Sequence, residues 1–369
     1  MFAHTRKGQI AIRWIAVVRF APALLALTFG TGCCAIAAAQ TAPATPPVAT
    51  PSPPDKSLLN DHKPFTSLAM SPDGRLIAAA RLENHGDLPS LMVWDAADGH
   101  LVFSKAEYME NDLIDFSADS KQLLLHGGAY RRLVLATGEM RRLDTTKATN
   151  EGNVFDLSGF YGAFRSDARQ AVVVTRAGIE VWDVDAGTCI RKLANTAARL
   201  YLWPIALSQD GRTVTVIDAN GQTRMIDLSQ GTFGAPLGER GGPPIRLIVS
   251  ADGRTQAVQT KNGAVRVRRM SDGALLLALP SSDGTARPFA LNPQGTVLAD
   301  FMPAGEQFRI TFWDLASGKS LKQVRVYREL TALSFSPDGK RLLGAEQDRV
   351  LLWDVDAGRA LRDFPAPRN

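Results

Sequence analysis

Histidine is nearly missing from this chain: there are five in 369 residues and none beyond His126. His62, His85, His100 and His126, the four outside the N-terminal segment, have no metal-ligand spacing and no cysteine near them, so no metal is expected. Cysteine is as scarce. Cys33 and Cys34 lie together near the N-terminus and Cys189 stands alone in an apolar strand, which reads as a packed thiol rather than a nucleophile. There is no nucleophile elbow and no glycine loop followed by a helix. The glycine-rich piece from Gly238 to Gly242 lies between strand patterns and reads as a loop. No cofactor and no catalytic residue is expected from this inventory.

A surplus of charge is also absent once the N-terminus is set aside. Arg6, Lys7, Arg13 and Arg19 form a basic region, and Phe20 to Ala39 then carries no charge. Ala37-Ala38-Ala39 before Gln40 has the small-residue pattern of signal-peptide cleavage, so residues 1–39 are expected to be an export signal. That segment holds 4 of the 42 basic residues and no acidic one, which leaves 38 against 37. Such a balance excludes an electrostatic footprint for nucleic acid. A periplasmic or secreted location follows. The uncharged run of 20 residues is also long enough for an uncleaved inner-membrane anchor, and Cys33 after Thr31-Gly32 leaves a lipoprotein as the other alternative. Residues 40–57 are rich in Pro, Ala and Thr and form an extended linker.

What the chain does have is one motif seven times over. The copies are Ser71-Pro72-Asp73-Gly74, Ser117-Ala118-Asp119-Ser120, Arg165-Ser166-Asp167-Ala168, Ser208-Gln209-Asp210-Gly211, Ser250-Ala251-Asp252-Gly253, Asn292-Pro293-Gln294-Gly295 and Ser336-Pro337-Asp338-Gly339. Their first residues are 46, 48, 43, 42, 42 and 44 positions apart. Each copy is a turn, with Pro presetting φ and Gly tolerating positive φ. Apolar residues stand one and three positions before it, as Met70 and Leu68 or Phe335 and Leu333 do, which is the period of a half-buried strand. About 20 residues later, Trp94-Asp95, Trp182-Asp183, Trp313-Asp314 and Trp353-Asp354 each end an apolar strand five residues before a glycine. Ile226-Asp227 keeps the spacing. The period predicts an all-β, seven-bladed β-propeller of four-stranded antiparallel blades.

These motifs resemble the WD40 repeat, over residues 58–367. The Gly-His pair that precedes the first strand of a typical repeat is missing, so the usual Asp–His–Ser/Thr–Trp hydrogen-bond network cannot form. The chain is therefore more similar to bacterial WD40-like repeat proteins than to the eukaryotic scaffolds. Both ends of the ring look complete, the first blade beginning at Phe65 and Ala360 to Phe364 supplying the last outer strand. Closure is expected by packing of the last blade on the first, without a shared blade.

The resemblance implies a non-enzymatic platform for protein partners, whose identity the sequence does not give. The alternatives are a propeller enzyme, lactonase-like or quinone-cofactor dehydrogenase-like, and a module binding small ligands or cell wall. Binding-face candidates come from loops at one end of the ring. They are Arg81 and His85 in the loop from Arg81 to Ser90, Tyr108, Arg199 and Tyr201 near Trp203, and Arg240, Arg287 and Arg328 before later inner strands. The competing reading packs Trp203 inward in phase with Ile205 and Leu207 and leaves the arginines as solvated rim charges. Two further residues break the repeat. Asp115 takes a position held elsewhere by small residues or Ile, between packed blades, and is expected to have a hydrogen-bonded structural role, with a ligand contact as the alternative. Arg266 and Arg268 take the phase of Leu351 and Trp353, with their stems expected to cover the neighbouring blade while their heads reach water, and a site for an anionic partner as the alternative.

Overall fold

In the computed structural model each of the seven motif copies becomes the hairpin between the first and second strands of one four-stranded antiparallel sheet. The structure describes residues 63–367, apart from 82–88, 107–112, 127–129, 143–160, 166, 176–177, 195–199, 209, 241–243, 282–283 and 306. His85, Tyr108 and Arg199 therefore lie outside the described residues, as do the proposed signal and linker. The side chains of Tyr201 and Trp203 are likewise not described, although their strand, Leu200–Leu207, is. Residues 55–369 form one compact unit.

Blades 1 to 7 span residues 65–105, 113–142, 161–194, 200–233, 244–279, 289–326 and 332–365. Strand order within every blade follows the chain, so all connections are hairpins. Each blade buries both faces, one against the blade before it and one against the blade after. In blade 1, for example, Ala69, Ala78, Ala80, Leu91 and Val93 pack on Ile114, Phe116, Leu123 and Leu125 of blade 2. Their alternate neighbours Leu68, Ile77, Ala79, Met92 and Trp94 pack on blade 7. Two-sided burial explains why the middle strands read as continuous apolar runs while the fourth strands leave Leu101, Ile190, Leu275, Leu321 and Leu361 exposed.

The repeated turn is a small hydrogen-bonded device. In blade 7, Ser336 Oγ donates to Asp338 Oδ1 at 2.5 Å and accepts from the Arg341 amide at 2.9 Å. Asp338 Oδ1 accepts from the Lys340 amide, and the Gly339 amide closes the turn on the Ser336 carbonyl. Blades 1, 2, 4 and 5 repeat this set with Ser71, Ser117, Ser208 and Ser250. The hydroxyls of Ser117 and Ser208 hold Asp119 and Asp210 below the usual carboxylate range. In blade 6, Asn292 does the work through its side-chain carbonyl, which accepts from the Thr296 and Val297 amides. Ser120 and Ala168 hold φ near +60° where the other copies have glycine, a conformation that costs a non-glycine residue about 1 kcal/mol.

The second landmark aims a side chain. The pairing of the third and fourth strands slips by one residue just before Trp94, Trp182, Trp313, Trp353 and Arg268. A bulge of this kind re-aims the side chain that follows it. Trp94 and Trp353 thereby enter the seam with the preceding blade, and Trp182 does the same against Leu124 and Tyr130 of blade 2. Without the histidine network, the Trp182 indole donates to Glu180 Oε2 at 3.0 Å instead.

The ring closes as expected, without a shared blade. The last strand, Arg359–Pro365, pairs with Arg349–Asp354, and blade 1 draws all four strands from residues 65–105. Across this seam the Thr331 hydroxyl donates to the Phe65 carbonyl at 2.7 Å and Arg362 donates to the Asp98 carbonyl. Trp94 sits between Phe65 and Phe364, at centroid distances of 6.4 and 6.2 Å.

One expectation needs correction. Asp115 does not lie in a packed seam. In the strand Leu113–Phe116 burial alternates, with Ile114 and Phe116 inside and Leu113 and Asp115 exposed. The carboxylate keeps its water, so the desolvation penalty that made its position look anomalous does not arise. Arg266 and Arg268 do reach toward blade 4. Both pair with Glu239, at 3.8 and 3.3 Å, while Arg268 also donates to the Gly273 carbonyl.

Candidate functional site

The inner-strand turns and the Trp-Asp turns share one end of the ring, so the loops between blades and between second and third strands share the other. Hairpin geometry places Arg240, Arg287 and Arg328 together on this loop end, in the connections that enter blades 5, 6 and 7. Their environments differ. Arg240 is exposed. Arg287 is 7% exposed. Arg328 is half-buried, with its Nη1 at 3.2 Å from both Glu346 and Asp348. Arg81 is fully buried: its Nε donates to the Pro89 carbonyl at 2.7 Å and its guanidinium lies over Phe65 at 5.3 Å. Its role is to brace the base of the connection that follows, not to meet a partner at the surface.

The Arg328 cluster is an ion network. Arg349 adds contacts to Glu346, Asp348 and Asp363 at 3.6, 3.2 and 3.2 Å. Burial pushes the Glu346 carboxyl up, and the two guanidiniums act against that rise. The Arg328→Ala variant is therefore expected to lose about 1–2 kcal/mol at pH 8, because an ionised Glu346 is left with one guanidinium. The sign follows from the charge state: burial raises the Glu346 carboxyl, and once it takes up a proton it no longer attracts Arg328. For Asp348 the rise from burial is overcome by its hydrogen bond to Arg349, so it stays ionised to lower pH. Thermal melts of the variant and the parent should therefore draw closer between pH 8 and pH 4 without meeting.

Tyr327, beside Arg328, is 72% exposed, the largest exposure among the large apolar side chains described. An aromatic ring next to an arginine on a rigid loop end has the composition of an interface hot spot. Sequence reading passes over Tyr327, although an aromatic residue directly before Arg328 is the signal that could have marked it.

At the opposite end, a cleft of about 440 Å³ opens between blades 7 and 1, lined by Arg75, Asp95, Arg341, Leu352, Leu361 and Arg362. Asp95, Asp98 and His100 gather beside it with ligand atoms within 4.8 Å of one another. Those atoms already work as turn caps. Asp95 Oδ1 accepts from the Ala97 amide, and Asp98 Oδ1 accepts from the His100 amide and contacts Nδ1 of the same histidine at 2.6 Å. Cys189 is half-buried with its thiol pushed up by burial, which disfavours the thiolate.

The polar group that sequence reading missed is Asp300. Eight residues after the start of each motif the chain has Ala79, Leu125, Val173, Val216, Val258, Asp300 and Gly344. Six of these are apolar or glycine and the seventh is a carboxylate, 2% exposed, on the face of blade 6 that meets blade 5. Burial raises it to about 6 even though Arg287 and Arg309 pull it down. Aligning the copies one strand further would have exposed it.

With this geometry in place, the ring is a seven-bladed β-propeller of four-stranded antiparallel blades. Residues 315–354 match the family profile described as WD domain, G-beta repeat, a stretch that runs from the Trp-Asp turn of blade 6 to the Trp-Asp pair of blade 7. Among solved structures the chain is similar to the β-propeller domain of Cps50 (Swd1) from Myceliophteria thermophila, with a TM-score of 0.61 and 13% identity. The superposition covers 79% of this chain and 98% of that one, and at this identity it speaks for the fold. No curated protein sequence matches the chain significantly.

Proposed function

We propose that this protein is a non-enzymatic platform outside the cytoplasm, docking protein partners on the loop end of its ring. The observation that carries the reading is exposed Tyr327 beside Arg328, with exposed Arg240 on the same loop end of a closed ring. Supporting it, three carboxylates at this end are engaged by arginines: Glu346 and Asp348 by Arg328 and Arg349, and Asp218 by Arg224 at 2.9 Å. Location outside the cytoplasm rests on the N-terminal basic, apolar and small-residue pattern. The extended segment that follows would serve as a tether if the apolar run stays in the membrane.

The experiment compares partner capture by the parent and by a Tyr327→Ala, Arg240→Ala double variant in envelope extracts. A partner recovered by the parent and lost by a folded double variant is the expected result. Equal recovery by both, or no specific partner where a known scaffold yields one, would count against it. The mass of the mature N-terminus, read in parallel, tests export: a chain beginning at Gln40 is expected.

A further inference from the structure

Between the inner strands of blades 5 and 6 the structure gathers an excess of positive charge, with Arg287 buried and Arg246 and Arg309 half-buried. Arg246, Gln259 and Val265 lie in register on the blade 5 face. Phe289, Asp300 and Thr311 lie in register on the facing side of blade 6, with Arg309 paired opposite Met302 one step further along. Arg246 stacks over the Phe289 ring at 5.0 Å, and dense surroundings lower it to about 10. Arg287 enters from the connection between the two blades, and Gln259 fixes that connection by donating to the Arg287 carbonyl at 3.0 Å. At the position of Arg246 the other inner strands carry Ser67, Leu113, Tyr161, Pro204, Pro288 and Ala332.

The charges here do not cancel. Among the described residues three arginines enter this seam against one carboxylate, an excess of two positive charges. Neither Arg287 nor Arg309 forms an ion pair with Asp300, though both are close enough to lower it. Nε and Nη1 of Arg287, Nε of Arg309, Oδ2 of Asp300 and Oγ1 of Thr311 are all buried without a protein hydrogen-bond partner. Buried donors left unmatched cost about 1–3 kcal/mol each. A seam built for stability alone would set the carboxylate against a guanidinium, as Asp218 and Arg224 do in blade 4. Here the unmatched donors outnumber the acceptors, and guanidinium forks match oxyanions geometrically.

We propose that the seam between blades 5 and 6 is a binding site for a small dianionic oxyanion, a dicarboxylate or a tetrahedral phosphate or sulfate group, held by Arg246, Arg287 and Arg309. Two negative charges balance the excess, and oxyanion lone pairs accept the orphaned N–H groups. Thr311 supplies a hydroxyl. Asp300 is the internal competitor, so binding strengthens when it takes up a proton. Among the described residues the charged groups acting on it are Arg287 from the connection and Arg309 from its own blade, while Arg246 of blade 5 lies over the neighbouring Phe289 ring. The third strand of blade 5 presents Val265 and Val267 there. The site stands whether or not the loop end docks a protein.

The test uses sulfate, whose charge is constant between pH 6 and pH 8, with succinate as the dicarboxylate arm. Calorimetric titration of the full chain at low ionic strength should give saturable binding of one or both probes that tightens as pH falls. Arg246→Gln and Arg309→Gln, both at partly exposed sites and checked for folding by circular dichroism, should each weaken it on the order of 10-fold or more. Asp300→Asn should bind more tightly at pH 8 and lose the pH dependence. Preference for sulfate or for succinate identifies which oxyanion geometry the seam accepts. Absence of saturable binding, an equal response to sodium chloride at matched ionic strength, or identical affinity in all three variants would overturn the proposal.

Discussion

Trp94→Ala is expected to lower the stability of the ring by about 3–5 kcal/mol, more than any other single truncation considered for this fold. The indole is 1% exposed and is gripped from both sides, by Phe65 of its own blade and by Phe364 of blade 7. Removing it deletes a large buried volume and also two aromatic pairings, each worth about 0.5–1.5 kcal/mol beyond area. The position matters as much as the size. Trp94 lies in the seam where the two chain ends meet, and no covalent connection joins blade 7 to blade 1. Its loss should therefore appear first as opening of that seam, with the melting midpoint falling on the order of 5–10 °C. Leu321→Ala, on the exposed outer strand of blade 6, is the matched control and should leave the midpoint within about 1 °C. An equal small effect from both changes would mean that the seam does not carry the ring.

Asp300→Asn should raise stability at pH 8, an unusual direction for a buried polar residue. The carboxyl is raised from its ordinary value to about 6 by burial. A group raised in the folded state stabilises most when protonated, below the unfolded value, and that contribution is lost as pH rises through the folded value. At pH 8 the folded ring therefore holds an ionised carboxylate at a cost of about 2–3 kcal/mol. Asparagine removes that cost without changing the volume. Denaturant titrations should show the variant ahead of the parent at pH 8, with the gap narrowing through pH 6 and closing near pH 4. The measurement belongs in buffers free of phosphate and sulfate, since an oxyanion in the seam would itself stabilise the parent. A variant less stable than the parent at pH 8 would show that the attraction of Arg287 and Arg309 outweighs burial.

The architecture was legible because it is periodic. A turn with Ser and Asp two residues apart, flanked by alternating apolar positions, specifies the same hydrogen-bonded hairpin wherever it occurs. Seven copies at nearly constant spacing leave a closed ring as the arrangement that hides both faces of every sheet. Even the degenerate copy at Asn292 folds alike, because a side-chain carbonyl can accept the two amides that a serine and an aspartate share elsewhere. Polar residues were harder to place. Asp115 and Asp300 both break the repeat, and from sequence they carry the same signal. Which one is buried depends on the packing of the neighbouring blade. Leu113 and Asp115 face open solvent, whereas Asp300 is capped by blade 5. The arginines pose the same difficulty. Arg81, Arg240, Arg287 and Arg328 look equivalent as loop residues, yet one is a buried brace, one is exposed, one lines a charged seam and one is locked in an ion network. Long side chains take their role from contacts that a repeat pattern does not encode.

The distance across the seam between the first and last blades tests the closed ring most directly. Asp98 and Arg362 touch across it from exposed positions, so spin labels on Asp98→Cys and Arg362→Cys report closure without disturbing the core. With Cys33, Cys34 and Cys189 replaced by serine, pulsed electron–electron resonance should give one short, narrow distance. A long or broad distribution in the folded protein would contradict a closed seven-bladed ring, and with it the rigid loop end and the charged seam that depend on it.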